Sequence, residues 1–381
     1  MTDISIIHAD AITPTGIIPD ALIRLANGKI KEIGRFEGQR PEGRVIDASG
    51  LIVTPGWIDI QINGGFGMDF TDDPSAIWEV ARQLPQYGTT SFLPTIITSP
   101  LETVRTAMAL LKQGPPRGWV GALPLGLHTE GPFLNKQKKG AHNPDFLQVP
   151  EVDKVKDFSR ENGIWLVTLA PELDGAKELI TELCERGVIV SAGHSMANYE
   201  QSQKAFTTGV RCLTHLYNAM SPLLHRDPGL PGAFLTHPSI IAGLIVDGIH
   251  CHPAMVKLAW QSRGAEGIAL VTDAMGAMGM PPGQYRFGGF DITVDEASAR
   301  LADGTLAGSI LTHDIALQNM LKWYGLKVEE VIPSLTSTPA RLLNLPNKGR
   351  IAPDADADLV LITPLGEVRH TLIAGQVVFS R

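Results

Sequence analysis

Two kinds of apolar pattern divide the chain. Over residues 1–53 the hydrophobic positions fall in strand-length runs: Ser5-Ile6-Ile7, Ala21-Leu22-Ile23-Arg24-Leu25, Lys29-Ile30-Lys31-Glu32-Ile33 and Leu51-Ile52-Val53. Thr15-Gly16 and Asn27-Gly28 break these runs. Asn-Gly signals a tight hairpin, because both central residues of that turn need positive φ. The same style returns near the end, in Asp358-Leu359-Val360-Leu361-Ile362, Gly366-Glu367 and Val377-Val378-Phe379. The two ends are expected to meet in one small β-sandwich domain, residues 1–53 plus 336–381.

Residues 54–335 read differently. Eight apolar runs, 57–63, 89–95, 122–130, 164–170, 188–193, 210–215, 240–246 and 267–273, alternate with helical patterns, as βα units do. Asp73-Pro74 opens a helix with the apolar face Ile77, Val80, Ala81 and Leu84. Ser99-Pro100-Leu101-Glu102 reads as a capping box with proline at the first helical position, and the helix ends at Gly114. A third helix covers residues 175–186 and stops at Gly187. Eight such units predict an α/β fold of the (β/α)8 TIM-barrel type. An open doubly wound sheet is the alternative, but no Gly-x-Gly-x-x-Gly follows any of the runs. Residues 281–306 return to β patterning, as a hairpin inserted after the eighth strand.

Composition narrows the classes. Of 381 residues, 44% are hydrophobic and 19% charged, enough apolar material for a sizeable core and too much for a disordered chain. Against 40 acidic residues stand 32 basic ones, a net charge of -8. No basic stripe suggests nucleic acid as a partner, while an anionic small substrate needs only local cations. Cys184, Cys212 and Cys251 lack Cys-x-x-Cys spacing, which argues against a disulfide framework and a thiolate zinc site. The N-terminus carries no basic segment followed by an apolar run, and the most apolar stretches are strand-length. A cytoplasmic protein without a membrane span is expected.

A barrel builds its chemistry at the carboxyl ends of its strands. At or just past the ends of these runs stand Gln61, Asn63, His128, Glu130, Glu172, His194, His215, His250 and Asp273. A lone histidine is more often a hydrogen-bonded core or surface residue, but several imidazoles and carboxylates at one end of successive strands point to a shared metal or acid–base site. The best ligand set is Glu130, His194 and His215: two imidazoles and a carboxylate, with one position left open, make a catalytic zinc site. Asp273 ends the eighth run and suits a proton acceptor beside such a metal. Its plainer reading is a loop N-cap.

Several stretches together resemble the amidohydrolase superfamily and, within it, the N-acetylglucosamine-6-phosphate deacetylase family. They are Gly126-Leu127-His128-Thr129-Glu130-Gly131-Pro132-Phe133-Leu134, Lys139-Gly140-Ala141-His142, Gly193-His194-Ser195, Leu213-Thr214-His215-Leu216-Tyr217-Asn218-Ala219-Met220, Asp247-Gly248-Ile249-His250, Thr272-Asp273-Ala274 and Leu306-Ala307-Gly308-Ser309. The resemblance runs over nearly the whole chain. It implies that Glu130, His194 and His215 bind the metal, that Asp273 is the acid–base residue, and that His142 stabilises an oxyanion. It assigns Ala141, His142, Asn218, Ala219, Leu306, Ala307, Gly308 and Ser309 to the sugar and acetyl group, and Arg226 and His250 to the 6-phosphate. The implied activity is hydrolysis of N-acetylglucosamine 6-phosphate, in a homodimer that leaves open whether Arg226 and His250 act within or across subunits. A guanidinium is a good phosphate fork, although Arg226 reads equally as a surface partner of Asp227.

One departure matters. Most of the superfamily carries His-x-His at the end of the first strand, for a second metal. Here Gln61 and Asn63 occupy that place, and neutral amides bind zinc poorly beside imidazole. The fourth run, Leu166-Val167-Thr168-Leu169, offers no lysine to bridge two ions. One divalent metal per subunit is expected, zinc first, with iron and cobalt also suited. The rival readings are a different acylated substrate and a barrel that kept its fold as a non-catalytic scaffold.

Overall fold

The structure, a computed structural model, describes residues 3–381. Its largest sheet carries the parallel strands Trp57–Ile62, Thr89–Ile97, Leu127–Glu130, Ile164–Leu169, Ile189–Ala192, Val210–Leu213, Ile241–Leu244 and Ile268–Leu270, paired in that order. Every residue of Trp57–Ile62 and Thr89–Ile97 is buried. Both strands are covered on both faces, so their polar residues Asp59, Gln61, Thr89, Thr90, Ser91 and Thr95 are buried along with the apolar ones. The ring closes at one seam: Asp273 donates its backbone N–H to Gln61 (2.9 Å), and Asn63 donates to Ala274 (2.7 Å). The expected (β/α)8 barrel is present.

Local signals explain most element ends. The run 122–130 contains a break before Leu127–Glu130, at Gly126. A Cβ there would meet the Trp165 ring at 2.2 Å, so only glycine allows the approach. The helix Leu101–Gln113 ends at Gly114 as expected, but its start differs from the capping box. Pro100 is itself the N-cap, with φ −52° and ψ 134°, and no side chain caps the helix. Ser99 thus lies one residue too early to reach the first free amides, and its buried hydroxyl has no partner. A capping box does form at Asn198, which opens Tyr199–Thr208. No helix among the described residues is long and apolar enough to cross a membrane.

The chain ends weave a separate sheet. Its order is Gln376–Ser380, Val368–Ile373, Leu359–Ile362, Ile52–Pro55, Ile4–Thr13, Gly16–Ala26 and Lys29–Arg35. Arg44–Asp47 shares Ile4–Thr13 with Ile52–Pro55. That shared strand carries register shifts between Ile6 and Ala9 and between Ala9 and Ala11. The sheet thereby bends around its own core of Ile6, Ile23, Ile30, Leu359, Leu361 and Leu372. At the Asn27-Gly28 turn both residues have positive φ, 52° and 74°, as the hairpin requires.

The inserted segment forms Gly283–Phe287 and Phe290–Val294, with a short third strand, Ala299–Arg300. Phe287, Ile292 and Val294 pack with Ile97, Ala141, Met275 and Ala307. This apolar contact lays the hairpin over the carboxyl end of the barrel.

Candidate metal and catalytic site

Glu130 is the last residue of its strand, and His194 and His215 each stand two residues past the end of theirs. His194, His215 and Asp273 leave the barrel with φ of 50°, 35° and 50°. Each left-handed non-glycine residue costs about 1–3 kcal/mol and persists only where its surroundings enforce it. The turns aim all three side chains inward. Glu130 Oε1 lies 2.9 Å from Nε2 of His194 and 2.9 Å from Nε2 of His215, and the two nitrogens are 3.0 Å apart.

This cluster fits a divalent cation. His194 Nδ1 lies 2.7 Å from the Lys138 carbonyl, which can only accept, so Nδ1 carries the proton and Nε2 presents a lone pair. That lone pair meets a carboxylate oxygen and a second imidazole nitrogen. A proton on one ring leaves the remaining lone pairs opposed, whereas one shared cation satisfies all three atoms. Among the described residues this is the one group with metal-ligand geometry. Burial opposes ionisation of Glu130, but the His194 and His215 imidazoles packed against it more than offset that and hold the carboxyl well below its usual range.

Gln61 and Asn63 do not extend the ligand set. Gln61 Nε2 donates to Glu130 Oε2 (3.2 Å) and to Asp273 Oδ1 (3.1 Å), and Asn63 Nδ2 donates to the same Oδ1 (2.7 Å). The amides present N–H groups and orient two carboxylates. Burial, then the charge of Glu130, pushes Asp273 up to about 7, against the opposing influence of His215, His250 and Asn63. Beneath it Asp59 accepts from Thr272 Oγ1 (2.7 Å) and from the Gln61 amide (3.0 Å), pinning the two strands that carry Asp273 and Gln61.

His142 completes the floor. The Thr98 amide donates to its Nδ1 (3.3 Å), so Nε2 carries the ring proton. Burial, then the neighbouring His194, lowers its pKa to about 3. It is therefore a neutral N–H donor, with Nε2 4.0 Å from Glu130 Oε1.

These groups line a cavity of about 460 Å³, a size that suits a small ligand. Of the residues nominated from sequence, Glu130, Ala141, His142, His194, His215, Asn218, Ala219, His250, Asp273, Leu306 and Gly308 line it. His250 is anchored by Asp247, whose Oδ2 lies 2.6 Å from Nδ1. Asn218 donates to the carbonyls of His215 (3.3 Å) and Leu216 (3.2 Å).

Three nominated residues lie elsewhere. Ala307 is buried in the hairpin's apolar cluster. Ser309 donates its hydroxyl to the Thr272 carbonyl (2.6 Å) and its amide to the Asp273 carbonyl (2.8 Å), bracing the eighth strand from behind. Arg226 is exposed on the loop after the sixth strand, does not line this chain's cavity, and makes no ion pair with Asp227. Glu172 holds the loop around His194, accepting from Ser195 Oγ (2.7 Å) and the Met196 amide (2.6 Å). His128 stays inside the barrel, bonded to Thr168 Oγ1 (2.7 Å).

Sequence reasoning missed Gln137, Lys138, Phe287 and Arg300, which also line the cavity. Lysines in a run such as Lys136, Lys138 and Lys139 read as a solvated loop as readily as one that closes over substrate, and nothing in the hairpin's pattern announces where it folds.

A carboxylate and two imidazoles at the mouth of a parallel barrel, with a further carboxylate ending the eighth strand, define the class of metal-dependent barrel hydrolases. Residues 52–378 match the amidohydrolase family. The chain is 39% identical to N-acetylglucosamine-6-phosphate deacetylase of Danio rerio, over 91% of this chain and 89% of that protein. The crystal structure of the Pasteurella multocida N-acetylglucosamine-6-phosphate deacetylase superposes with a TM-score of 0.93 at 30% identity, covering 100% of both chains. A mutant of the Mycobacterium smegmatis enzyme, solved in complex with N-acetyl-D-glucosamine-6-phosphate, gives 0.89 at 29%, over 99% of each chain. The chain belongs to the amidohydrolase family, in its N-acetylglucosamine-6-phosphate deacetylase branch.

Proposed function

We propose that this protein hydrolyses the acetamide bond of N-acetylglucosamine 6-phosphate, releasing acetate and glucosamine 6-phosphate. The observation that carries the reading is that Glu130, His194 and His215 share one cavity floor with Asp273 and His142. The branch relatives, named for this activity, supply the substrate.

Glu130, His194 and His215 hold one divalent cation, zinc first among those suited to this donor set, which when bound polarises a carbonyl and acidifies water. Asp273 has Oδ1 occupied by Gln61 and Asn63, which leaves Oδ2 to take the proton of the attacking water. A carboxyl pushed up toward neutrality both takes and returns a proton at physiological pH. His142 donates its Nε2–H to the oxygen that gains charge as the carbonyl carbon becomes tetrahedral. Asp273 then hands its proton to the departing amine, so one carboxyl serves both halves of the reaction. Asn218, Ala219, Ala141, Leu306 and Gly308 surround the sugar, and His250 faces the phosphate. The enzyme works as a cytoplasmic homodimer, and Arg226 reaches the phosphate from the partner subunit.

The test is acetate release by chelator-stripped protein titrated with zinc. Activity that saturates at one zinc per chain is expected. Saturation at two would return Gln61 and Asn63 to a ligand role. Zinc binding without turnover of this sugar phosphate would refute the substrate.

A further inference from the structure

We propose that Arg300, assisted by Lys138, is a phosphate-binding and specificity-determining residue supplied by the same chain as the catalytic groups. The inference rests on the substrate being a sugar phosphate. Both residues line the cavity that holds Glu130 and Asp273, and they enter it from different segments. Arg300 ends the short strand Ala299–Arg300 of the hairpin, and Lys138 closes the turn Lys136–Lys138.

Neither cation forms an ion pair with a carboxylate among the described residues. Arg300 donates Nε to Ser298 Oγ (3.1 Å) and Nη1 to the Gly304 carbonyl (2.9 Å). Both acceptors are neutral groups of its own turn. They fix the guanidinium plane and leave Nη2 for a ligand, while Asp295 of the same turn acts on the Arg300 charge only from beyond ion-pair distance. Lys138 is half-buried, and its backbone carbonyl anchors His194, so its segment is tied to the metal cluster. In a protein of net charge -8, two cations lining one cavity, neither held in an ion pair, mark an anion site. The directional fork of Arg300 and the point charge of Lys138 suit the several oxygens of a phosphate. This chain's own Arg226 does not line the cavity, so Arg300 and Lys138 are the arginine and lysine that this chain itself brings to it.

The test compares zinc-loaded wild type with Arg300→Met and Lys138→Met, since methionine keeps an apolar stem and removes the charge. KM is measured for N-acetylglucosamine 6-phosphate, kcat/KM for that substrate and for unphosphorylated N-acetylglucosamine, and Ki for inorganic phosphate as competitor. Charge-assisted hydrogen bonds of this kind are worth about 10- to 100-fold in affinity. Arg300→Met is expected to raise KM and Ki by that factor and to lower the preference for the phosphorylated sugar equally. A smaller shift, about 3- to 10-fold, is expected for Lys138→Met. Lys136→Met, an exposed neighbour outside the cavity, is the control. KM and Ki for Arg300→Met within twofold of wild type would overturn the proposal. So would an equal loss on both sugars, which would reduce Arg300 to a prop for the hairpin. If wild type turns over no sugar phosphate, the substrate reading fails, and the Kd of inorganic phosphate, measured by calorimetry on wild type and Arg300→Met, decides for or against Arg300 by the same factor.

Discussion

Asp273→Asn separates catalysis from structure within one variant. The side chain is buried, and Gln61 and Asn63 donate to its Oδ1. Asparagine keeps the shape and one acceptor oxygen, so the amides stay paired and the Glu130 cluster is untouched. What disappears is the site that takes and returns a proton. General acid–base catalysis is worth about 10²–10⁴-fold, so a loss of about 10³ in kcat is expected, close to 4 kcal/mol of barrier. Stability moves the opposite way. Burial and the charge of Glu130 raise the carboxyl from 3.8 to about 7 in the metal-free fold. An acid whose folded pKa is raised destabilises the fold once ionised. The penalty is absent below about pH 4, grows between the two pKa values and is complete above about pH 7, reaching about 4 kcal/mol at 1.36 kcal/mol per unit. Asparagine is neutral throughout and retains part of the burial cost, so a gain of roughly 1–3 kcal/mol over wild type is expected at about pH 8. Urea melts of the chelator-stripped proteins at acid and alkaline pH measure it. A stability gap that does not widen with rising pH would refute the account of Asp273 as a desolvated carboxylate. A kcat loss below tenfold would refute its place in the reaction.

Replacing His142 by Phe removes the ring N–H proposed to donate to the reacting carbonyl, and kcat should fall about 10²–10³-fold with bound metal unchanged by elemental analysis. Glu130→Ala should abolish stoichiometric zinc binding on equilibrium dialysis, because the remaining imidazoles lose the oxygen that lies 2.9 Å from both. Gln61→Leu strips a donor shared by Glu130 and Asp273. The Asp273 pKa must then rise, and since the carboxyl has to be ionised to accept a proton, the acid limb of the pH–rate profile should move to higher pH. A limb that stays put would show that Gln61 does not tune this carboxyl.

Much of this architecture could be read without coordinates, for identifiable reasons. Parallel barrel strands are buried on both faces, so a run such as 240–246 stands out as an unbroken apolar stretch, and a Glu130 or Asp273 closing a strand is conspicuous. The role of Gln61 and Asn63 was only half legible. Their chemistry says that they are poor ligands, but their use as donors to two carboxylates depends on which strands meet at the seam. Ser99 misled because a capping box is a spacing rule, and Pro100 moved the cap by one residue. Arg300 and Phe287 gave no signal at all, since where a hairpin folds is decided by distant packing partners such as Ile97 and Ala141.

The seam has a kinetic consequence. Asn63 and Asp273, joined by a 2.7 Å hydrogen bond, are separated by 210 positions in the chain. Joining ends so far apart in sequence carries a large chain-entropy cost that other contacts must already have met. Asp273 therefore acquires its partners only when the first and last staves of the barrel join. During synthesis a nascent chain lacking its eighth strand carries Glu130, His194 and His215 without Asp273, so on the proposed mechanism turnover waits until the ring is whole. Return of turnover after dilution from denaturant thus times ring closure itself, a step that bulk spectroscopic probes of helix content would report too early.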